Sequence, residues 1–223
     1  LYPAGRVSEV QRRQMTTVPD ANVHAIAIEG TFDDCQAHVK AMFNNLAFRD
    51  RLQLAGVNSI NWARIVAQVV YYFVAGSALG SPHRPVSFVV PTGNFGDVLA
   101  GYVAKRMGLP VSKLTIATNV NDILARTLNS GRYEVTGVVP SSSPSMDIQV
   151  SSNFERVLFE ALDRDAGALR GLMAALTQSG AFSPPNKALE TIRADFDAGR
   201  TDEAQTAETI ARDLPGGRLA VPM

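Results

Sequence analysis

A single cysteine, three histidines and no excess of either charge remove several classes of function at once. One thiol, Cys35, excludes an intrachain disulfide and any cysteine-cluster metal site. It suits the packing face of a helix, where a cysteine is a small apolar residue. His24, His38 and His83 stand at no metal-ligand spacing. The first precedes a strand, the second lies in a helix and the third sits in a Pro-rich turn. Lys and Arg number 21 together against 21 Asp and Glu, so no basic stripe argues for nucleic acid. Long apolar runs are lacking too. Val66 to Ala75 is the longest candidate, too short to span a bilayer and interrupted by Gln68. No initiator methionine, signal peptide or transit segment opens the chain. Leu1-Tyr2-Pro3 reads as the end of a strand, so we expect a fragment whose first part lies upstream.

What is present begins with Val86-Ser-Phe-Val-Val-Pro-Thr-Gly-Asn-Phe-Gly-Asp97. Val86 to Val90 is almost continuously apolar, as in a strand covered on both faces. Pro91 stops it. Gly93 and Gly96 bracket Asn94 and Phe95, so the backbone can turn sharply and approach a ligand. A helix then starts near Gly96 or Asp97, with Val98, Leu99, Tyr102 and Val103 on its apolar face. Its first amides have no intrahelical acceptor and lie at the positive end of the dipole. A phosphate is a natural occupant of that position. The same turn also occurs without a ligand. The third glycine of a dinucleotide fingerprint and the Gly-Lys-Ser/Thr of a Walker loop are both missing. Asp97 suits a helix start better than a crowded anion site.

Elsewhere, strands and helices alternate. Ser8 caps a polar helix to Thr17, Val23 to Glu29 is a strand, and Thr31 caps a helix to about Asn45. A short helical piece spans Phe48 to Leu54. Asn58 or Asn61 starts a long helix to about Gly76, whose wide apolar surface predicts burial on several sides. Lys113 to Ala117 is a further strand, and Asn121 caps a helix ending at Gly131. Such alternation predicts parallel pairing. From Ser152 on, the pattern is helical. Ser152-x-x-Glu155 reads as a capping box, and helices are predicted at 166–178, 187–199 and 203–212 with no strong strand between them.

Asn58, Ser59 and Arg64 form a second anion candidate at the start of the long helix. Arginine binds phosphate bidentately. From spacing alone, an N-cap with a solvent-exposed arginine is the favoured explanation.

The segment Pro91-Thr-Gly-Asn-Phe-Gly-Asp97 resembles the cofactor-phosphate loop of the threonine synthases. These are pyridoxal-phosphate (PLP) enzymes of the tryptophan-synthase-like class, fold type II. Further segments resemble the same family in the same order: 1–15, Asn58-Ser-Ile-Asn-Trp-Ala-Arg64, Ala117-Thr-Asn-Val-Asn-Asp122 and Pro144-Ser-Met-Asp-Ile-Gln-Val-Ser-Ser-Asn-Phe-Glu-Arg156. The resemblance implies an α/β fold of parallel or mixed sheets flanked by helices, with a mainly helical C-terminal part. It implies residues 1–55 in a smaller domain, 56–150 in a larger PLP domain and 151–223 as a helical extension and tail. It further implies that Gly93, Asn94, Phe95, Gly96 and Asp97 hold PLP, and that Asn58, Ser59 and Arg64 hold the phosphate of O-phosphohomoserine. Arg64 would absorb charge on the leaving phosphate. The activity implied is that of a carbon-oxygen lyase of threonine biosynthesis, cytoplasmic, monomeric or homodimeric.

The chain departs from the family in three respects that bear on catalysis: it shows neither the cofactor lysine, nor the upstream Ser/Thr/Asn loop that clasps the substrate carboxylate, nor the later Asp-Pro-His-Thr-like segment that faces the pyridine ring. The Schiff-base lysine, in a Phe-Lys-Asp context, is expected upstream, and none of Lys40, Lys105, Lys113 or Lys187 stands in such a context. No catalytic residue is therefore assigned within the chain. A threonine dehydratase, a cysteine synthase or a non-catalytic module that binds a phosphate ligand are the alternatives. Met146 and Asp147 receive no role.

Overall fold

The computed structural model describes residues 1–56 and 59–213. At the N-terminus, β1 (Tyr2–Pro3) pairs in parallel with β2 (Ala27–Ile28) around the helix α1 (Glu9–Thr16). Ser8 caps α1 by accepting from the Gln11 amide. Only two residues of the strand predicted over 23–29 are paired. The helices α2 (Phe32–Asn44) and α3 (Leu46–Leu52) follow. Thr31 and Asp34 form a reciprocal capping box at the start of α2.

The long helix α4 (Trp62–Ala78) is capped by Asn61, whose side chain accepts from the Ala63 amide. Of the two starts the sequence allows, it takes the second. Burial is confined to one face, through Ile65, Val69, Tyr72 and Gly76. Trp62, Val66, Val70, Tyr71 and Val74 are exposed, so the helix is not enclosed on several sides. Its apolar surface is wider than the surface it packs with.

The central sheet runs β3 (Val86–Pro91), β4 (Val111–Thr118), β7 (Phe196–Arg200), all parallel. Between its strands come α5 (Gly96–Arg106), α6 (Ile123–Ser130), β5 (Tyr133–Glu134), α7 (Phe154–Ala161), α8 (Ala166–Ser179), β6 (Ala181–Phe182) and α9 (Asn186–Asp195). β5 and β6 form an antiparallel pair, and α10 (Glu203–Asp213) follows β7. Two strand expectations are corrected here. β3 lies at an edge of its sheet and is not covered on both faces: Val86 and Val90 are buried, while Val89 is 72% exposed. Pro91 is its last paired residue, where a missing amide costs little. The sequence predicts a helix through 187–199, but it ends at Asp195 and the chain turns into β7. Phe196, Ala198 and Arg200 pair with Leu114, Ile116 and Thr118 of β4. Phe196 is the one apolar residue of the strand that is fully buried, so no period-two pattern announced it.

The core gathers on the sheet. Tyr72 of α4 meets Phe88 of β3 edge-on at 4.9 Å. An aromatic group joins Phe95, Phe154, Phe196, Tyr133 and Phe182, with neighbouring centroids 4.7–5.6 Å apart. Such rings bury large areas in defined offset geometries. No helix among the described residues is long and apolar enough to cross a membrane.

Candidate functional site

The loop from β3 to α5 carries the first candidate site. Thr92 leaves the sheet with its amide on the Ala117 carbonyl and its hydroxyl on the Val90 carbonyl. The sharp turn is made at Phe95, not at either glycine. Phe95 adopts left-handed backbone angles (φ 63°, ψ 10°) and serves as the N-cap of α5. For a bulky side chain this is a strained conformation. It is held because the ring is fully buried between Phe154 and Phe196, both 5.4 Å away.

The glycines answer to packing. A Cβ on Gly93 would come within 3.0 Å of the Ser145 carbonyl oxygen, and one on Gly96 would sit 3.4 Å from Ile65 Cδ1. The first amides of α5 follow, without intrahelical acceptors. A small cavity of about 160 Å³ is bounded by residues 91–98 together with Ser59, Arg64 and Gln68. It lies at the N-terminus of α5, a position that favours an anion.

Asp97 also borders this cavity, and its side chain is hydrogen-bonded. The Tyr72 hydroxyl donates to its carbonyl at 2.9 Å and to its carboxylate at 3.1 Å. Burial raises the Asp97 pKa, partly offset by that hydrogen bond. Burial likewise pushes the Tyr72 phenol up, with the Asp97 charge adding to it.

The second candidate lies beside the first. Ser59 and Arg64 border the small cavity, and with Asn94 they also border a larger one of about 570 Å³. That cavity is walled on its other side by α2, through Asp33, Cys35, Gln36 and Val39. The two candidates are therefore neighbours that share Ser59, Arg64 and Asn94 in their linings. Asn58 lies outside the described residues. Asp33, on the first turn of α2, accepts from the Gln149 amide at 3.3 Å, and burial raises its pKa. Cys35 is buried, as its packing role requires.

Two supporting networks have no counterpart in the sequence reading. Asp147 accepts from Asn119 Nδ2 (2.8 Å), Asn121 Nδ2 (3.0 Å), the Ser141 hydroxyl (2.6 Å) and the Ser141 amide (2.7 Å). This fixes the 3-10 turn Pro144–Met146, which abuts Gly93. Asn121 is thus not the cap of α6; Asp122 occupies that position, and Asn121 bonds Val139 and Asp147 instead.

The segment 151–153 clamps the loop from the other side. The Ser151 hydroxyl donates to the Gly93 carbonyl at 2.8 Å, and the Ser152 hydroxyl to Asn94 Oδ1 at 3.2 Å. The expected capping box at Ser152 does not form, because its hydroxyl is spent on Asn94 and α7 begins after Asn153. Only a family-like run from Pro144 to Arg156 marked these residues in the sequence.

No lysine borders either cavity. Lys105 pairs with Asp195 at 2.8 Å and Lys187 with Asp163 at 2.8 Å. Lys113 donates to the Arg193 carbonyl at 2.8 Å. Among the described residues no group of His, Cys, Asp or Glu could hold a metal ion.

A scan against protein-family models finds no match. Threonine synthase from Pseudomonas aeruginosa is 55% identical over 211 residues, which are 95% of this chain and 45% of that protein. The enzyme of the same name from Saccharomyces cerevisiae is 48% identical over 224 residues, 95% of this chain and 44% of that protein. The crystal structure of PLP-bound threonine synthase from Brucella melitensis superposes with a TM-score of 0.83 at 63% identity, over 95% of this chain and 46% of that one. The chain spans slightly less than half the length of the relatives it matches. Its fold is that of the fold type II PLP enzymes.

Proposed function

We propose that this chain, a homologue of the threonine synthases, is a stretch of such an enzyme, converting O-phosphohomoserine and water to threonine and phosphate. The observation that carries the reading is that two neighbouring recesses share Arg64 in their linings. A cofactor phosphate and a substrate phosphate need two such places within one site.

The residues present fit PLP. The recess at 93–97 lies at a helix start, where backbone amides favour an anion, and the carboxylate on its border, Asp97, accepts from Tyr72. Gly93, Asn94, Phe95, Gly96 and Asp97 would hold the cofactor phosphate through their backbone. When bound, PLP supplies an electron sink that stabilises carbanions on the amino-acid skeleton. Asn58, Ser59 and Arg64 would hold the substrate phosphate. The Arg64 guanidinium would stabilise the charge that develops as phosphate leaves. The α2 wall of the larger cavity would limit water around the reacting centre.

The rest of the reading follows from the same proposal. Residues 1–55 belong to a smaller domain and 56–150 to the larger PLP domain. Residues 151–223 are a helical extension and tail, of which 151–213 are described and lend β7 to the central sheet. The enzyme is cytoplasmic and acts as a monomer or homodimer.

The test is Arg64→Ala in the whole enzyme. A charged bidentate contact is worth about 1.5–3 kcal/mol, so kcat/KM for O-phosphohomoserine should fall by roughly one to two decades while PLP titration changes little. Loss of PLP binding with unchanged turnover by the remaining holoenzyme would reverse the two phosphate assignments. Absence of phosphate release by the wild type would end the reading.

A further inference from the structure

Asn153 is a fully buried polar residue that no part of the proposed chemistry uses. Its side-chain amide donates to two backbone carbonyls at once, Ser59 and Asn94, both at 2.9 Å. Its own backbone amide donates to the Asn94 carbonyl at 3.1 Å. Its Oδ1 accepts from Arg156 Nε at 3.1 Å, which fixes the orientation of the amide. Arg156 reaches further along the same path. Its Nη2 donates to the Ile60 carbonyl at 3.0 Å, and its guanidinium lies over the Trp62 ring, 5.6 Å from the centroid.

Both carbonyls belong to residues that border the two recesses, but they sit on different segments. Asn94 is in the loop before α5, while Ser59 and Ile60 lead into α4, which bears Arg64. The residues share no stretch of backbone: 94 and 59 are joined through the whole of α4 and β3. A buried side chain with every polar atom satisfied is a rigid connector.

We infer that Asn153, oriented by Arg156, is a positioning residue that sets the separation of the two anion recesses. Asn153 touches neither ligand. Its contribution is to hold the substrate phosphate at a fixed distance from the cofactor phosphate, so that the carbon chain between them meets the reacting centre. This inference rests on the two-recess reading of the site. It assigns to Asn153 a role in reaction geometry beyond that of a fold-holding core residue. The distinction is measurable because each recess has its own probe, PLP for one and inorganic phosphate for the other.

The experiment compares the whole enzyme with Asn153→Ala and Arg156→Lys. In each, PLP affinity, inhibition by inorganic phosphate, KM, kcat and the thermal midpoint are measured. For Asn153→Ala we expect PLP affinity and phosphate inhibition within about threefold of wild type, and kcat lower by roughly ten- to a hundredfold. Displacement of a reacting group by about 1 Å has that effect. Arg156→Lys keeps a cation beside Ile60 and loses the bond to Asn153, so its kcat should fall in the same direction by a smaller factor, with both affinities again kept. Parallel loss of PLP affinity, phosphate inhibition and thermal midpoint in the soluble variants would overturn the inference and leave Asn153 a structural residue. An unchanged kcat in Asn153→Ala would overturn it equally. Should Asn153→Ala fail to fold, Arg156→Lys carries the same test. In every one of these outcomes the wild type still turns over O-phosphohomoserine; only its inactivity would strike the proposed function instead.

Discussion

Tyr72 of α4 donates its single hydroxyl proton to Asp97 of α5, within reach of both the backbone carbonyl (2.9 Å) and the carboxylate (3.1 Å). The contact engages a half-buried acid on the border of the recess and ties α4 to α5. Tyr72→Phe leaves that carboxylate without its donor. It should cost about 1–3 kcal/mol, read as a lower thermal midpoint of the whole enzyme, and should weaken PLP binding as the Asp97 charge becomes free to turn.

The same acid makes a pH signature. Burial raises the Asp97 pKa, so the native state takes up a proton at higher pH than the unfolded chain. Its contribution to stability is full below the ordinary carboxylate range and is lost as pH rises through its raised native value. Asp97→Asn removes this dependence and retains an acceptor for Tyr72. The midpoint of the wild type minus that of Asp97→Asn should therefore decline as pH rises across that window. A difference that grows with pH would mean the acid is stabilised as an anion.

Gly93 and Gly96 look alike in the sequence and should respond differently to a methyl group. At Gly93 the new Cβ meets the Ser145 carbonyl oxygen at 3.0 Å and Met146 Cα at 3.5 Å, both backbone. At Gly96 it meets Ile65 Cδ1 at 3.4 Å, an ordinary contact. Overpacking costs about 1–3 kcal/mol, so Gly93→Ala should lower PLP affinity by about tenfold or more, and Gly96→Ala by less than about threefold. Gly96→Val should be harmful, but through Ile65 and the start of α5, because that position faces protein instead of the recess. Equal titration curves for the two alanine variants would contradict this.

Gly101 is a packing glycine of α5. A Cβ there would lie 2.6 Å from Tyr72 Cε1 and 2.9 Å from Leu114 Cδ2. Gly101→Ala should destabilise by about 1–3 kcal/mol. Gly171, in α8, has nothing within 4 Å of such an atom, and Gly171→Ala should stabilise by about 0.5–1 kcal/mol. Thermal midpoints of the pair should move in opposite directions.

The lysines of this stretch should not capture the cofactor. None borders the recesses, and Lys105, Lys113 and Lys187 are engaged elsewhere. Incubation of the whole enzyme with PLP, reduction with borohydride and mapping by mass spectrometry should give no stoichiometric adduct on Lys40, Lys105, Lys113 or Lys187. A single adduct on one of them, competed by O-phosphohomoserine, would place the catalytic amine within this stretch.

Local chemistry was legible where neighbours in sequence decide it. Ser8, Thr31 and Asn61 cap their helices through their own side chains, and the strand, loop and helix around Gly93 form in that order. Legibility ended where distant segments decide. Phe196 enters a strand because β4 offers it a partner. Ser152 abandons a capping box because Asn94 is nearby. Phe95 takes a conformation suited to glycine because two rings hold it there. The apolar surface of α4 announces burial that the contacts of this stretch do not supply. That Gly93 and Arg64 border cavities agrees with where the sequence put its candidates; Asn153, whose partners lie 59 and 94 positions away, gave no such signal.

The ring of Phe95 has a consequence for the order in which the molecule is made. Its neighbours come from residues 154 and 196, so the floor of the phosphate recess is completed by chain synthesised long after the glycine loop itself. Closing so long a loop is entropically late. A nascent chain that has emerged only to β4 carries every letter of the loop and lacks the surface that holds Phe95 left-handed. The recess is therefore finished only when β7 docks on β4, and the loop and the sheet mature as one step.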